Sequence, residues 1–340
     1  MELIGLSTAE LSALCERLGH PAFRGKQIAD WIYRKGVRDL SRMSNIPAAL
    51  REELARGCTF THSVPRDKSQ TPDGTTKFLL ELSDGETVET VLIPYPRRTS
   101  VCVSTQVGCP VGCLFCATAD CGFVRNLTAG EIVDQVLTLQ EQSPARISHV
   151  VFMGMGEPLL NLDNVLKSIS LLNDEIGIGV RRLTISTVGI TPAIRGLREL
   201  RLQLTLAISL HAPDDELRRK LIPLAAKFPL GDLMRECREY AGFTGRRITF
   251  EYLLLAGVND SPAQAENLAY LLRAMLANVN LIPYNEVPEK PYNRPSRAVV
   301  QAFRGTLLER GIEVTQRMER GHSIAAACGQ LKTRGNGRSE

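Results

Sequence analysis

The sequence predicts an α/β protein, a partial (β/α)6 TIM-like barrel preceded by a small N-terminal helical domain and a linking β-hairpin. Three observations predict it. Short β-branched apolar runs alternate with helical stretches from about residue 99 onward, as they do in a parallel sheet. Capping boxes and apolar residues at helical spacing mark discrete amphipathic helices. Polar, glycine-flanked groups follow successive strands, where a barrel carries its chemistry.

Ser7 with Glu10 makes the first capping box, and Leu11, Leu14 and Leu18 recur on one face of the helix it opens. After the His20-Pro21 break, Ile28, Trp31 and Ile32 repeat at helical spacing, and Leu50 and Leu54 mark a third helix behind Pro47. Residues 1–57 are therefore expected to form a small helical domain with Trp31 in its core. Phe78, Leu80 and Leu82 alternate with other residues up to Asp84-Gly85, and a second extended run follows from Thr87 to Ile93. This is a hairpin signal, within a linker region of residues 58–96. Strands are expected near residues 99–104, 147–153, 183–187, 203–209, 247–254, 279–283 and 312–316, inside a barrel domain of residues 97–331. Thr128 and Glu131 cap the first crossover helix. No apolar period continues beyond Leu331, so residues 332–340 are expected to be a disordered basic tail.

With 340 residues, 44% hydrophobic and 23% charged, the chain can bury a large core and is not disordered, collagen-like or coiled-coil. No apolar run is long enough to span a bilayer, and the first residues lack the features of a signal peptide. The expected location is the cytoplasm, with no membrane partner. A net charge of +4 permits a nucleic-acid partner without requiring one. Between Glu16 and Arg56, nine Arg and Lys residues face five Asp and Glu residues, an excess that suits either a phosphate backbone or an ordinary solvated surface. Phe23, Trp31 and Tyr33 are candidates for stacking on bases, with a core position the preferred reading for Trp31.

Nine cysteines in a chain without an export signal favour metal binding or thiol chemistry over a disulfide framework. Cys15, Cys58 and Cys237 stand alone and read as small buried apolar residues. Cys109, Cys113 and Cys116 supply three thiolates on one tight loop, and thiolates are the usual ligands of iron–sulfur clusters. Three thiolates leave one iron of a [4Fe–4S] cluster open to the amino and carboxylate groups of S-adenosylmethionine. A structural zinc site completed by Cys121 is the alternative, although zinc sites more often pair cysteines at C-x2-C spacing.

The C-x3-C-x2-C spacing, with Phe115 before the last cysteine, resembles the radical S-adenosylmethionine superfamily. The segments CVSTQVGCPVGCLFCATADCGFVRNLT, VVFMGMGEPLLN, LTISTVGITP, SLHAPDDELR, GVNDS, LIPYN and AACGQL resemble the adenine-C2 RNA methyltransferase family, from about Phe23 to Leu331. The resemblance implies a radical S-adenosylmethionine barrel. It implies methylation of an adenosine in 23S rRNA near the peptidyl-transferase centre, and of the adenosine beside the anticodon in some tRNAs. It also implies a monomer that draws electrons from a donor such as flavodoxin or ferredoxin.

Residue by residue, the resemblance makes Cys109, Cys113 and Cys116 the cluster ligands and Cys328 the cysteine that is methylated. Gly156, Glu157, Ser186, Ser209, Leu210, His211 and Asn285 match positions that hold S-adenosylmethionine. Two molecules are expected per turnover, one to methylate Cys328 and one to activate that methyl group for attack on the electron-poor ring carbon. Glu89 matches the proton acceptor, and Cys102 matches the thiol that resolves the covalent RNA adduct and leaves a Cys102–Cys328 disulfide. Cys121 and Ala325 depart from the family's usual residues, Ala325 standing where an aspartate is common. Two other functions compete: C8 methylation of the same adenine, by a sister family sharing most motifs, and a non-catalytic iron–sulfur RNA-binding or electron-transfer protein. GEPLLN and the ERG-containing segment before AACGQL favour C2.

Overall fold

The computed structural model describes residues 1–60, 62–316 and 320–332. Three helices, α1 (Thr8–Arg17), α2 (Phe23–Ala29) and α3 (Ala48–Gly57), open the chain. Both reciprocal bonds of the Ser7–Glu10 capping box form, satisfying donors that a helix start otherwise leaves orphaned. α2 runs on into a π-helical turn over Asp30–Arg34. Trp31 is not a core residue as expected. It is half-buried, its indole N–H donates to Asn45 Oδ1 at 2.6 Å, and the Lys35 ammonium sits 3.8 Å from its ring centroid. Tyr33 is the buried one, donating to the carbonyl of Leu6 and accepting from the N–H of Gly5.

Strands β1 (Val64–Gln70), β2 (Thr76–Glu81), β3 (Thr87–Tyr95) and β4 (Arg98–Cys102) follow as an antiparallel meander. The β2–β3 pair is the expected hairpin. β1 escaped the sequence reading because VPRDKSQ is exposed on both faces and has no apolar alternation. A small ribbon, β5 (Gln106–Gly108) with β6 (Phe123–Asn126), brackets the cysteine loop. Helix α4 (Ala129–Gln142) starts at the Thr128–Glu131 capping box, with Glu131 also paired to Arg125 at 2.8 Å.

Thereafter strands and helices alternate: β7 (Ile147–Phe152), α5 (Leu162–Ser170), β8 (Leu183–Thr187), α6 (Thr191–Glu199), β9 (Thr205–Ser209), α7 (Asp215–Leu221) and α8 (Leu230–Thr244). They are followed by β10 (Ile248–Leu254), α9 (Pro262–Leu272), β11 (Ala277–Pro283), α10 (Arg297–Glu309) and β12 (Glu313–Gln316). The ten-stranded sheet has the order β1-β2-β3-β4-β7-β8-β9-β10-β11-β12 and is parallel from β4 to β12. Six strand–helix units start at β4, and β12 adds a seventh parallel strand. The sheet is an incomplete barrel, so the carboxyl ends of its parallel strands share one rim.

The helical segment is fastened to the barrel by a buried ion pair, Arg38 Nη2 to Asp134 Oδ1 at 3.1 Å, so Arg38 is not available to a phosphate. Among the described residues, no helix is long and apolar enough to cross a membrane. Lys332, expected in the tail, is hydrogen-bonded to Glu89. The rest of that tail and Glu319 of the ERG segment lie outside the described residues.

Close approach of α1 and α2 depends on Gly25, where an added Cβ would stand 2.2 Å from Ser12 N. Since backbone cannot yield as a flexible side chain does, Gly25→Ala should lower stability by about 1–3 kcal/mol or more. Denaturant unfolding checks this. A variant as stable as the parent contradicts the packing.

Candidate active site

β5 ends at Gly108, whose φ of 72° and contact with the Gly122 carbonyl, 1.8 Å from any added Cβ, exclude other residues. Cys109 follows, its N–H bonded to that carbonyl at 2.7 Å. Cys109, Cys113 and Cys116 then line one cavity at the carboxyl ends of β7, β8, β9, β10 and β11. Burial pushes the Cys109 thiol up to about 12, while backbone N–H groups of Val111 and Gly156 directed at its sulfur favour the thiolate. Burial likewise raises Cys116, opposed by the Thr118 hydroxyl and the Thr118 and Ala119 N–H groups. Cys113 is raised well above the usual thiol range, by burial and then by Cys116 and Cys109. The three thiols are thus mutually close and desolvated, and two are provided with donors that stabilise negative sulfur.

Gly156, Glu157, Ser186, Ser209 and His211 line the same cavity. A Cβ on Gly156 would lie 2.6 Å from that of Gln106, so glycine lets this loop close over β5. Burial lifts the Glu157 carboxyl to about 7, against hydrogen bonds from Thr187, Val188 N at 2.8 Å and Leu159 N at 3.0 Å. Ser186 and Ser209 hydroxyls stand 3.4 Å apart. His211 adopts a left-handed φ of 58°, a costly conformation held by Leu253 N donating to its Nδ1 at 3.0 Å and Asn259 Nδ2 donating to its carbonyl at 2.8 Å. Leu210 is buried outside the lining, where its N–H bonds the carbonyl of Glu251.

Cys328 comes from the far end of the chain. Ala117 N donates to Gly329 O at 2.8 Å and Thr118 Oγ1 to Leu331 O at 2.7 Å, stitching residues 329–331 onto the cysteine loop. Cys328 therefore lines the thiol cavity and also a second, adjoining one with Cys102 and Asn285. Asn285 Nδ2 reaches the Cys328 carbonyl at 3.4 Å. None of the nine cysteines is in a disulfide, so the Cys102–Cys328 bond is not formed here. Cys15 and Cys237 are buried as expected, and Cys58 is half-buried.

Glu89 is not brought into either cavity. It faces a third, where its carboxylate receives Lys77 Nζ at 2.8 Å and Lys332 N at 2.7 Å. Lys77 Nζ also reaches the carbonyl of Ala325, whose left-handed φ of 51° suits an aspartate better than an alanine. Sequence reading missed Glu251, a buried carboxylate in the thiol cavity that accepts from Asn280 Nδ2 at 2.8 Å. Its charge within the β10 run ITFEYLL was the available signal.

A Radical SAM superfamily model matches residues 103–268, and a ribosomal RNA large subunit methyltransferase N-terminal domain model matches residues 1–59. The chain is 53% identical over 334 residues to a probable dual-specificity RNA methyltransferase RlmN of Trichormus variabilis, covering 98% of this chain and 94% of that one. This chain belongs to the RlmN family of radical SAM RNA methyltransferases. It is also 51% identical to the Gloeobacter violaceus RlmN relative over 338 residues, 98% of this chain and 95% of that one. The crystal structure of a radical SAM methyltransferase from Sphaerobacter thermophilus matches with a TM-score of 0.93 at 46% identity, covering 97% of this chain and 99% of that one.

RlmN membership implies a [4Fe–4S] cluster and S-adenosylmethionine. The residues fit that group. Cubane irons take one protein thiolate each, and among the described residues no three His, Cys, Asp or Glu side chains converge on a single ion. Cys121 lies outside the lining and donates to the carbonyl of Ala117.

Burial and then the Arg218 charge push the His211 imidazole down to about 3. With its folded pKa below the unfolded one, His211 contributes stability above about pH 6.5 that is lost as pH falls toward 3. Its ring resonances should not shift between pH 5 and 8 in a pH series by NMR. A transition near 6.5 contradicts the buried neutral ring.

Proposed function

We propose that this enzyme methylates C2 of an adenosine in 23S rRNA, and of the adenosine beside the anticodon in tRNA, through a methylated Cys328 and a covalent RNA adduct. One observation carries the reading: Cys328 lines both the three-thiol cavity and the cavity that holds Cys102. When bound, the cluster and two molecules of S-adenosylmethionine supply a methyl group and, on one-electron reduction by a donor such as flavodoxin or ferredoxin, a radical able to abstract hydrogen.

The chain's own residues do the rest. Cys109, Cys113 and Cys116 hold three irons. Glu157, once ionised, suits the ammonium of S-adenosylmethionine, and Ser186 and Ser209 offer hydroxyls to its polar groups, with the Gly156 backbone alongside. Cys328 carries the methyl carbon as a thioether and, after carbon–carbon bond formation at C2, tethers the RNA. Glu89, which receives the Lys77 ammonium and the Lys332 N–H, is the base that accepts the C2 proton. Since it opens onto a different cavity from Cys328, residues 320–332, which touch both, rearrange when RNA enters. Attack of the Cys102 thiolate on the Cys328 sulfur forms the Cys102–Cys328 disulfide and breaks the sulfur–methylene bond; the electron pair leaves on the methylene carbon, conjugated with the purine ring, and a proton from solvent completes the methyl group as the RNA is released.

Substrate docking falls to the helical segment, acting in a monomeric cytoplasmic enzyme. Lys26, Arg34 and Phe23 are exposed on it, with the Arg24 guanidinium 4.6 Å from the Phe23 ring centroid. C2 is favoured over C8 because the Trichormus variabilis and Gloeobacter violaceus relatives, which match along 98% of this chain, are named as RlmN proteins.

With labelled RNA, Cys102→Ala should accumulate a slow covalent band on denaturing gels, whereas Cys328→Ala should give none. If Cys328→Ala retains the band, the two roles are wrongly assigned. Nucleoside mass analysis of the released product should show 2-methyladenosine, and 8-methyladenosine would establish the sister activity instead. Charge reversal at Lys26 and Arg34 should weaken RNA binding and flatten its salt dependence with iron content unchanged. Unaltered affinity across a salt series would return that face to ordinary solvated surface.

A further inference from the structure

Arg218 has no solvent exposure, which is rare for a guanidinium. It projects from α7, and Leu221 at the end of that helix accepts the N–H of Leu114, so the helix is bonded to the cysteine loop at 3.0 Å. The Arg218 Nη2 donates to the carbonyl of Val188, a residue that lines the thiol cavity and whose own N–H binds Glu157. Its Nε and Nη1 have no hydrogen-bond partner. A cation buried with two donors unspent is costly unless a negative charge lies near it. Its field favours the thiolate of Cys113 and disfavours protonation of His211, both of which line the cavity. Burial lowers its own pKa only to about 10, so it is cationic at neutral pH.

We propose that Arg218 is a positioning residue for the iron–sulfur cluster, whose fixed positive charge behind the Cys113 ligand stabilises the reduced state and raises its potential. The inference rests on the reading of Cys109, Cys113 and Cys116 as cluster ligands. Three thiolates on an oxidised 2+ core give a net charge of −1, and one electron makes it −2. Adding that charge in a desolvated site is unfavourable, and an internal cation that water does not screen offsets it. Lys290, whose charge acts on Cys116, is already paired with Asp120 at 2.6 Å. Arg218 feels the Asp215 carboxylate and then Cys113, but no carboxylate is hydrogen-bonded to its Nε or Nη1.

The test is a reductive titration of the anaerobically reconstituted full-length protein followed by EPR, with iron content measured on each sample. Arg218→Met removes the charge at similar volume, and Arg218→Lys keeps it. With iron content retained, Arg218→Met should show at least a tenfold lower reduced-to-oxidised ratio at the wild-type midpoint, a shift of 59 mV to more negative potential for one electron. Arg218→Lys should lie closer to wild type. Equal midpoints for Arg218→Met and wild type overturn the proposal, as does an equal shift in the Lys and Met variants, which would make the effect one of packing. If Arg218→Met does not fold, Arg218→Gln against Arg218→Lys gives the same reading, and equal midpoints there overturn it. A wild-type sample with no cluster signal removes the three-cysteine reading itself and is distinguishable from a failure at Arg218.

Discussion

Everything proposed for this enzyme depends on two hydrogen bonds that join the ends of the barrel. Ala117 N to Gly329 O and Thr118 Oγ1 to Leu331 O span more than two hundred residues of sequence and dock the last described segment on the cysteine loop. Each is an ordinary bond of about 1 kcal/mol net. Their value lies in position. They set Cys328 in the wall shared by two cavities, one holding three desolvated thiols and the other holding Cys102.

The second constraint is electrostatic. A rim that gathers three half-buried thiols with the buried Glu157, Glu251 and His211 is inhospitable to charge, which pushes the thiols and Glu157 up and the imidazole down. The fold offsets that penalty with donors aimed at Cys109 and Cys116 and with the buried Arg218. The barrel makes this possible because parallel strands deliver loops from many parts of the chain to one end, where residues distant in sequence meet.

How much of this was legible in the sequence follows from the kind of signal each feature carries. The parallel strands and both capping boxes were legible because period and cap chemistry are local, and the strand β9 expected at 203–209 differs by only two residues from the observed Thr205–Ser209. The C-x3-C-x2-C loop was legible for the same reason. β1 was not, since an edge strand with no buried face leaves no alternation to read. Trp31 was misplaced because helical spacing says which residues share a face but not how deep that face lies. Glu89 was placed on the right strand, yet its Lys77 partner and its separate cavity depend on long-range packing that no local pattern encodes. Arg218 and Glu251 were passed over because a charged residue in a helix or strand reads as surface until its burial is known.

The central claim is that Cys328 carries the methyl group. Tandem mass spectrometry of proteolysed enzyme, after anaerobic incubation with S-adenosylmethionine bearing a labelled methyl and with reductant, tests it without any RNA. The account predicts one labelled methyl on the peptide containing Cys328, located at that sulfur, and none on Cys102. A labelled methyl on Cys102 or on a loop cysteine, with Cys328 unmodified, would contradict it.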